Sequence, residues 1–274
     1  VKEILIHTRE KGVSKFDNTR LQIANDGVFR FSISNIKSTT HYFASTADIK
    51  SPEYKITVLD RPIIRSLNLT LNYPAYSRIP AKALEENVGD VTALPGTRIS
   101  VDILASKTLS EATLLFSDSS TQKLKLSENL AKGTFSLFKD RNYRINISDE
   151  GGLSNIDPIE YHLRIIPDEF PTVAILVPGK NTDITESMKL SLLFRIKDDF
   201  GFSNLRLVYR LAQSRYEKPS EEFSFIDIPL TSKDLIAQEL WYEWNLSGLN
   251  LVPEDILAYY VEVFDNDNVS GPKS

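Results

Sequence analysis

Tyr143-Arg144-Ile145-Asn146-Ile147-Ser148-Asp149-Glu150-Gly151-Gly152-Leu153-Ser154 is the stretch that decides the fold. Tyr143, Ile145 and Ile147 fall on one face of an extended chain, and Arg144, Asn146 and Ser148 fall on the other. A period of two is the mark of a half-buried strand. The Asp and glycines that follow are turn chemistry, because an Asp side chain bonds nearby N–H groups and glycine accepts left-handed angles. The phrase comes twice more. His41 to Asp48 closes on Ser51, and Tyr260-Val261-Glu262-Val263-Phe264-Asp265-Asn266-Asp267-Asn268 closes on Ser270. Recurrence at roughly 100–115 residues is the size of one antiparallel β-sandwich.

Elsewhere the alternation persists. Ile99, Val101 and Ile103 oppose Ser100, Asp102 and Leu104, and Leu190, Leu192, Phe194 and Ile196 repeat the pattern. Val28 to Ile33 and Tyr54 to Val58 read as further strands. The only helical candidate of any length, Ser232 to Leu240, is short and weakly amphipathic. The expected fold is therefore all-β: tandem Ig-like or fibronectin-III-like antiparallel sandwiches, the terminal ones incomplete.

Boundaries follow from a second repeat. Tyr54 to Pro62 and Tyr161 to Pro171 each run a final strand into a proline-bearing link. Short proline links leave little room for independent tumbling. We expect a partial module over 1–60, a complete one over 61–167, and a module lacking its last strand over 168–274. The chain opens on Val1 and stops at Ser274 inside a turn phrase, so it reads as an excised fragment. Incomplete end modules leave unpaired edges, and self-association through such edges is one expectation.

Composition narrows the function classes. Of 274 residues 41% are hydrophobic and 10% aromatic, ample for packed cores. A formal charge of -5, from 32 basic against 37 acidic residues, offers no basic stripe for nucleic acid. The absence of cysteine excludes disulfides and thiolate metal sites. No apolar run approaches the ~20 residues that span a bilayer as a helix.

Asp265-Asn266-Asp267-Asn268 invites calcium, which takes six to eight hard oxygen ligands. Asp265 and Asp267 are the candidate ligands, and the Asp198-Asp199 pair resembles them. Hairpin-turn chemistry is the favoured reading, since the matching turns at Asp48 and Asp149 do not repeat the acids. Trp241 shares a strand face with Glu243 and Asn245 and is the candidate ligand-binding aromatic. Trp244, on the face of Tyr242 and Leu246, reads as a core tryptophan. Tyr143 and Tyr260 are expected to hydrogen-bond across a corner of their modules. His7, His41 and His162 are scattered, and no Gly-x-Ser-x-Gly, His-Glu-x-x-His or phosphate loop occurs. Four Asn-x-Ser/Thr phrases read as coincidence. No catalytic residue and no cofactor are expected.

Several phrases carry a resemblance. Tyr73-Pro74-Ala75-Tyr76, then Gly89-Asp90-Val91-Thr92-Ala93-Leu94-Pro95-Gly96-Thr97, and Val269-Ser270-Gly271-Pro272-Lys273-Ser274 resemble an uncharacterised family of large bacterial envelope proteins. Asp198-Asp199-Phe200-Gly201 and Trp244-Asn245-Leu246 resemble bacterial Ig-like modules. The resemblance implies membrane helices before tandem Ig-like modules, and a long helical region after them. The expected role is thus a non-catalytic, extracytoplasmic spacer or protein-interaction segment, anchored to the membrane through regions outside this chain. A carbohydrate- or cell-wall-binding module is the alternative.

Overall fold

A computed structural model describes residues 2–274. The chain divides into two compact units, Val1–Arg61 and Pro62–Ser274. The described residues form antiparallel sheets and two short 3₁₀ turns, with no α-helix. None of their helical segments is long and apolar enough to cross a membrane.

The first unit holds β1 (Glu3–Glu10), β2 (Asp17–Gln22), β3 (Thr40–Ser45) and β4 (Tyr54–Ile56). They make one antiparallel sheet in the order β2-β1-β3-β4. Val28 to Ile33, expected as a strand, is irregular instead, with Val28 and Phe31 exposed. Alternation states which face a side chain would take; a strand also needs a neighbour to complete its ladder. The sheet's four strands are already ordered without this segment.

The second unit starts with a sandwich running from Ile64 to Ile165. Its strands begin with β5 (Ile64–Asn72), β6 (Lys82–Ala83), β7 (Val91–Ala93), β8 (Thr97–Ala105) and β9 (Leu109–Phe116). They continue with β10 (Thr121–Lys123), β11 (Lys125–Ser127), β12 (Leu130–Leu137), β13 (Arg141–Asp149) and β14 (Glu160–Ile165). Two five-stranded sheets result, β10-β9-β13-β14-β7 and β11-β12-β8-β5-β6. All pairs are antiparallel except β14 with β7, where Leu163 sits opposite Val91. The inward residues are those the alternation marks: Ile99, Val101 and Ile103 from β8 face Tyr143, Ile145 and Ile147 from β13, all buried. Each such burial contributes about 1.5–3 kcal/mol before entropy is set against it.

The last sandwich has β15 (Thr172–Val177), β16 (Lys189–Lys197), β17 (Phe202–Gln213), β18 (Ser224–Asp227), β19 (Ala237–Asn245) and β20 (Ile256–Asp265). Its sheets are β15-β16-β19 and β18-β17-β20. Leu192, Phe194, Ile196, Leu205, Leu207 and Trp244 form its core. Ser232 to Leu240 is not a helix. Ala237 onward is β19, pairing along β16 from Lys197↔Ala237 to Lys189↔Asn245. Here sheet pairing overrides a weak local helical pattern.

Candidate functional site

Several of the phrases that carry the resemblance are scattered in sequence yet meet at the seam between the two sandwiches of the second unit: Tyr76, Gly96, Phe200 and the turn after β20. Tyr76 lies in a 3₁₀ turn, Ala75–Ser77, after β5. Its ring meets Phe200 edge-on at 5.7 Å. Arg78, just beyond, reaches the last sandwich: its guanidinium bonds the Asp234 carboxylate and the Phe200 carbonyl, and the Asp234 carbonyl at 3.0 Å. Asn266 Nδ2 donates to Phe200 O at 2.9 Å and to Tyr76 O at 3.4 Å.

Two glycines set how closely the turns approach. Gly96 has φ +79°, and a Cβ there would lie 2.8 Å from Val269 Cγ1. Gly201 has φ +106°, and its Cβ would fall 2.4 Å from the Lys233 carbonyl oxygen. Left-handed backbone against another chain segment is where only glycine fits without strain.

The two candidate calcium ligands, for which turn chemistry is the favoured reading, lie in this seam. Asp265 and Asp267 are both 1% exposed. Asp265 Oδ1 accepts from Lys273 N at 2.8 Å, and Asp267 Oδ1 from Val269 N at 2.7 Å and Ser270 N at 3.1 Å. Their other oxygens converge on the chain's own cation. Lys273 Nζ is 2.6 Å from Asp168 Oδ2, 3.2 Å from Asp265 Oδ2 and 3.5 Å from Asp267 Oδ2. Burial works against the lysine charge, yet Asp168 and Asp265 outweigh it and hold its pKa above the ordinary lysine range. Burial also opposes ionisation of Asp267, but the N–H groups of Val269 and Ser270 prevail and lower its pKa. Among the described residues no three acidic or histidine side chains are arranged to hold a metal ion. Asp168 and Lys273 carried no signal in the sequence, since a lone Asp in a link and a lone Lys near a turn look like solvated surface.

The middle sandwich repeats the device in simpler form. Asp149 Oδ1 accepts from Gly151 N and Leu153 N at 3.0 Å, and Lys107 Nζ lies 3.1 Å from its Oδ2. In the first unit Asp48 is exposed, and Thr46 Oγ1 accepts the turn N–H groups in its place.

Trp241 is 68% exposed on the outer face of β19. Cross-strand ion pairs flank it, Lys189–Glu243 at 2.7 Å and Arg195–Glu239 at 2.6 Å. Trp244 is 2% exposed and packs between Tyr209 and Tyr259, at 5.1 and 5.7 Å. Tyr143 donates its hydroxyl to Gly89 O at 2.9 Å, joining β13 to the segment before β7. Tyr260 does not behave alike: it is 41% exposed and faces outward beside Phe223. The inward tyrosine of β20 is Tyr259, because period two admits only one of two neighbours to the core.

The histidines stay apart. His41 meets Glu53 at 2.8 Å, and His162 meets Asn142 at 2.9 Å. His7 lies between Asn18 and Ser45, at 2.5 and 2.8 Å, stacked on Phe43. That trio crosses β2, β1 and β3 as a side-chain ladder on a sheet face. A shallow depression of about 420 Å³ on the outer face of β9 and β13, walled by Thr113, Asn146, Ser148 and Asn155, offers hydroxyls and amides.

No known protein family and no curated protein matches this chain. Among solved structures it is similar to dimeric latent PorU from Porphyromonas gingivalis, at 12% identity over 99% of this chain and 28% of that one, with TM-score 0.27. It is also similar to a Salmonella alpha-2-macroglobulin mutant, at 12% identity over 97% of this chain and 20% of that one, with TM-score 0.23. The chain thus spans 28% and 20% of the lengths of these two structures. What the fold itself shows is an all-β protein of antiparallel sandwiches.

Proposed function

We propose that this chain is a non-catalytic, extracytoplasmic spacer and protein-interaction segment of a larger membrane-anchored bacterial protein, built from tandem Ig-like modules. One observation carries the reading: the most specific polar side chains of the second unit are spent on joining its two sandwiches. Arg78 and Asn266 bond from one sandwich to the other, and Lys273 ties the terminal turn to Asp168 in the link between them. Such ties suit a segment that holds its ends at a fixed spacing. Because the chain has no cysteine, Gln122→Cys and Lys218→Cys can be spin-labelled specifically. The expected result is one narrow distance distribution, broadened by Arg78→Ala. A broad distribution in the otherwise unaltered protein would remove the spacer reading.

The interaction surface is the edge of β20. In the middle sandwich β13 has neighbours on both sides, β9 and β14, whereas among the described residues β20 is paired with β17 alone. Leu257, Tyr259 and Val261 along it are only half-buried. An extended partner, including the edge of a second copy, adds there by backbone hydrogen bonds, with alternate side chains entering the core.

A second reading rests on Trp241. An exposed indole on a flat, ion-flanked sheet suits stacking on a sugar ring. Binding to cell-wall fragments that persists in Trp241→Ala would eliminate it.

A further inference from the structure

The two sandwiches of the second unit treat one strand differently. β13 and β20 each end on an Asp whose Oδ1 accepts from the N–H that closes the turn, Leu153 after Asp149 and Lys273 after Asp265. Counting back from the Asp, Tyr143, Ile145 and Ile147 match Tyr259, Val261 and Val263. The first three are each 1% exposed, whereas Tyr259 and Val261 stay half-buried. A cover makes the difference. β14 pairs antiparallel with β13, Tyr161 opposite Tyr143. Asn155 completes that edge: its Oδ1 accepts from Ile147 N at 3.0 Å, and its Nδ2 donates to Ile145 O at 2.9 Å.

On β20 the Asp265 N–H donates to Lys273 O at 3.1 Å, on the side away from β17. Val263, Val261 and Tyr259 are in phase with it, so their N–H and C=O groups face the same side. Among the described residues nothing pairs with them there. The strand is ten residues long and carries no proline, lysine or arginine, the usual guards of an edge. Its one charged side chain on the outer face is Glu262. Arg206 stands opposite on β17 but is engaged by Asp227 at 3.0 Å, and Glu262 has no ion pair among the described residues.

We propose that this edge takes an extended segment of a partner protein as an antiparallel strand of defined pattern: a lysine or arginine opposite Glu262, then apolar side chains at every second position, opposite Val261, Tyr259 and Leu257. The proposal rests on the β20 interaction surface inferred above and gives its partner a chemistry. β14 supplies the pattern. Its Tyr161 lies inward against Tyr143, ring centres 5.3 Å apart, and its outward Glu160 pairs with Arg144 of β13 at 3.1 Å. On β20 the acid is on the host strand, so the base belongs to the guest. A second copy of β20 fits less well, because it brings another acid and no base. Parity fixes the register, since a slip of one residue turns the guest's apolar row outward.

The peptide 158–165 of this chain with Pro158→Lys has this pattern. Its lysine meets Glu262, and Ile159, Tyr161 and Leu163 meet Val261, Tyr259 and Leu257. Titrated into the whole chain to about ten times its Kd, it should slow exchange of the Tyr259 and Val261 amides about 10-fold and leave β1–β3 unchanged. A peptide of the same residues with the apolar ones moved by one position should bind at least about 10-fold more weakly. Val261→Pro, whose missing N–H faces the open side and spares the ladder with β17, should abolish the protection at Tyr259. Glu262→Lys should weaken the lysine peptide and favour its Pro158→Glu counterpart, each by about 2- to 5-fold. If no peptide slows these amides up to about 1 mM, a concentration ten times a Kd of about 0.1 mM, both the proposal and the β20 surface beneath it fall. Equal binding of the shifted peptide, or unchanged charge preference in Glu262→Lys, overturns the proposal and leaves the surface standing. Protection that grows with protein concentration in the absence of peptide, alongside a dimer in sedimentation, assigns the edge to a second copy and likewise overturns the proposal.

Discussion

The first unit and the middle sandwich are written with the same strand-and-turn phrase, yet only one of them closes a core. In the middle sandwich two five-stranded sheets face each other, so alternate residues of β8, β9, β12 and β13 vanish from solvent together. The first unit has a single four-stranded sheet, and among its described residues only Thr40 and Phe43 are buried. Phe43 is covered by its own neighbours: His7 stacks on it, Phe16 meets it edge-on, and Lys50 Nζ lies 3.9 Å over its ring. The contrast teaches that alternation supplies a face and a second sheet supplies the core.

That difference can be broken by substitution. The largest effect is expected for Ile103→Ala, with 0% to 1% exposure along its part of β8. It should cost about 2–5 kcal/mol in denaturant unfolding of the second unit. Phe43→Ala should cost less, below about 2 kcal/mol, because the residues around it are partly solvated and can relax into the space its ring leaves. Equal costs would mean that the first unit has a core of its own and would end the comparison.

Gly201→Ala comes next, since it forces a side chain into left-handed backbone 2.4 Å from a carbonyl oxygen. A loss of about 1–3 kcal/mol is expected, read as a lower melting temperature of the second unit with unchanged exchange in β1–β3. Tyr143→Phe should cost about 1–2 kcal/mol by leaving Gly89 O without its buried donor. The smallest effect belongs to Lys132→Gln, which breaks an exposed pair with Asp102. It should stay within about 0.5 kcal/mol, and a larger loss would show that surface charge matters to the sandwich more than its core implies.

Much of this was legible beforehand, and the parts that were not share a cause. The alternating runs in β8, β13 and β16 are sheet strands with the expected faces inward, and Trp241 and Trp244 divide between solvent and core as their parity states. Val28 to Ile33 alternates equally well and forms no strand, because pairing depends on residues far away in sequence. Ser232 to Leu240 carries a faint helical pattern that a nine-residue ladder with β16 overrides. Tyr259 and Tyr260 differ by one position, and register alone chooses between them.

The seam marks the limit most clearly. Asp265 and Asp267 stand out in a turn, and their neighbourly N–H bonds follow from local chemistry. Their remaining oxygens meet Lys273, whose ammonium also bonds Asp168, 105 residues away from it, and no local pattern encodes that long-range partner. By itself, then, the sequence determined an all-β chain, the faces of most strands and the places of the turns, because these depend on short-range periodicity and backbone preference. Tertiary structure alone decided which faces became cores, which strand edges stayed open, and which charges were brought within reach of one ammonium group, because those outcomes depend on the long-range pairing of sheets.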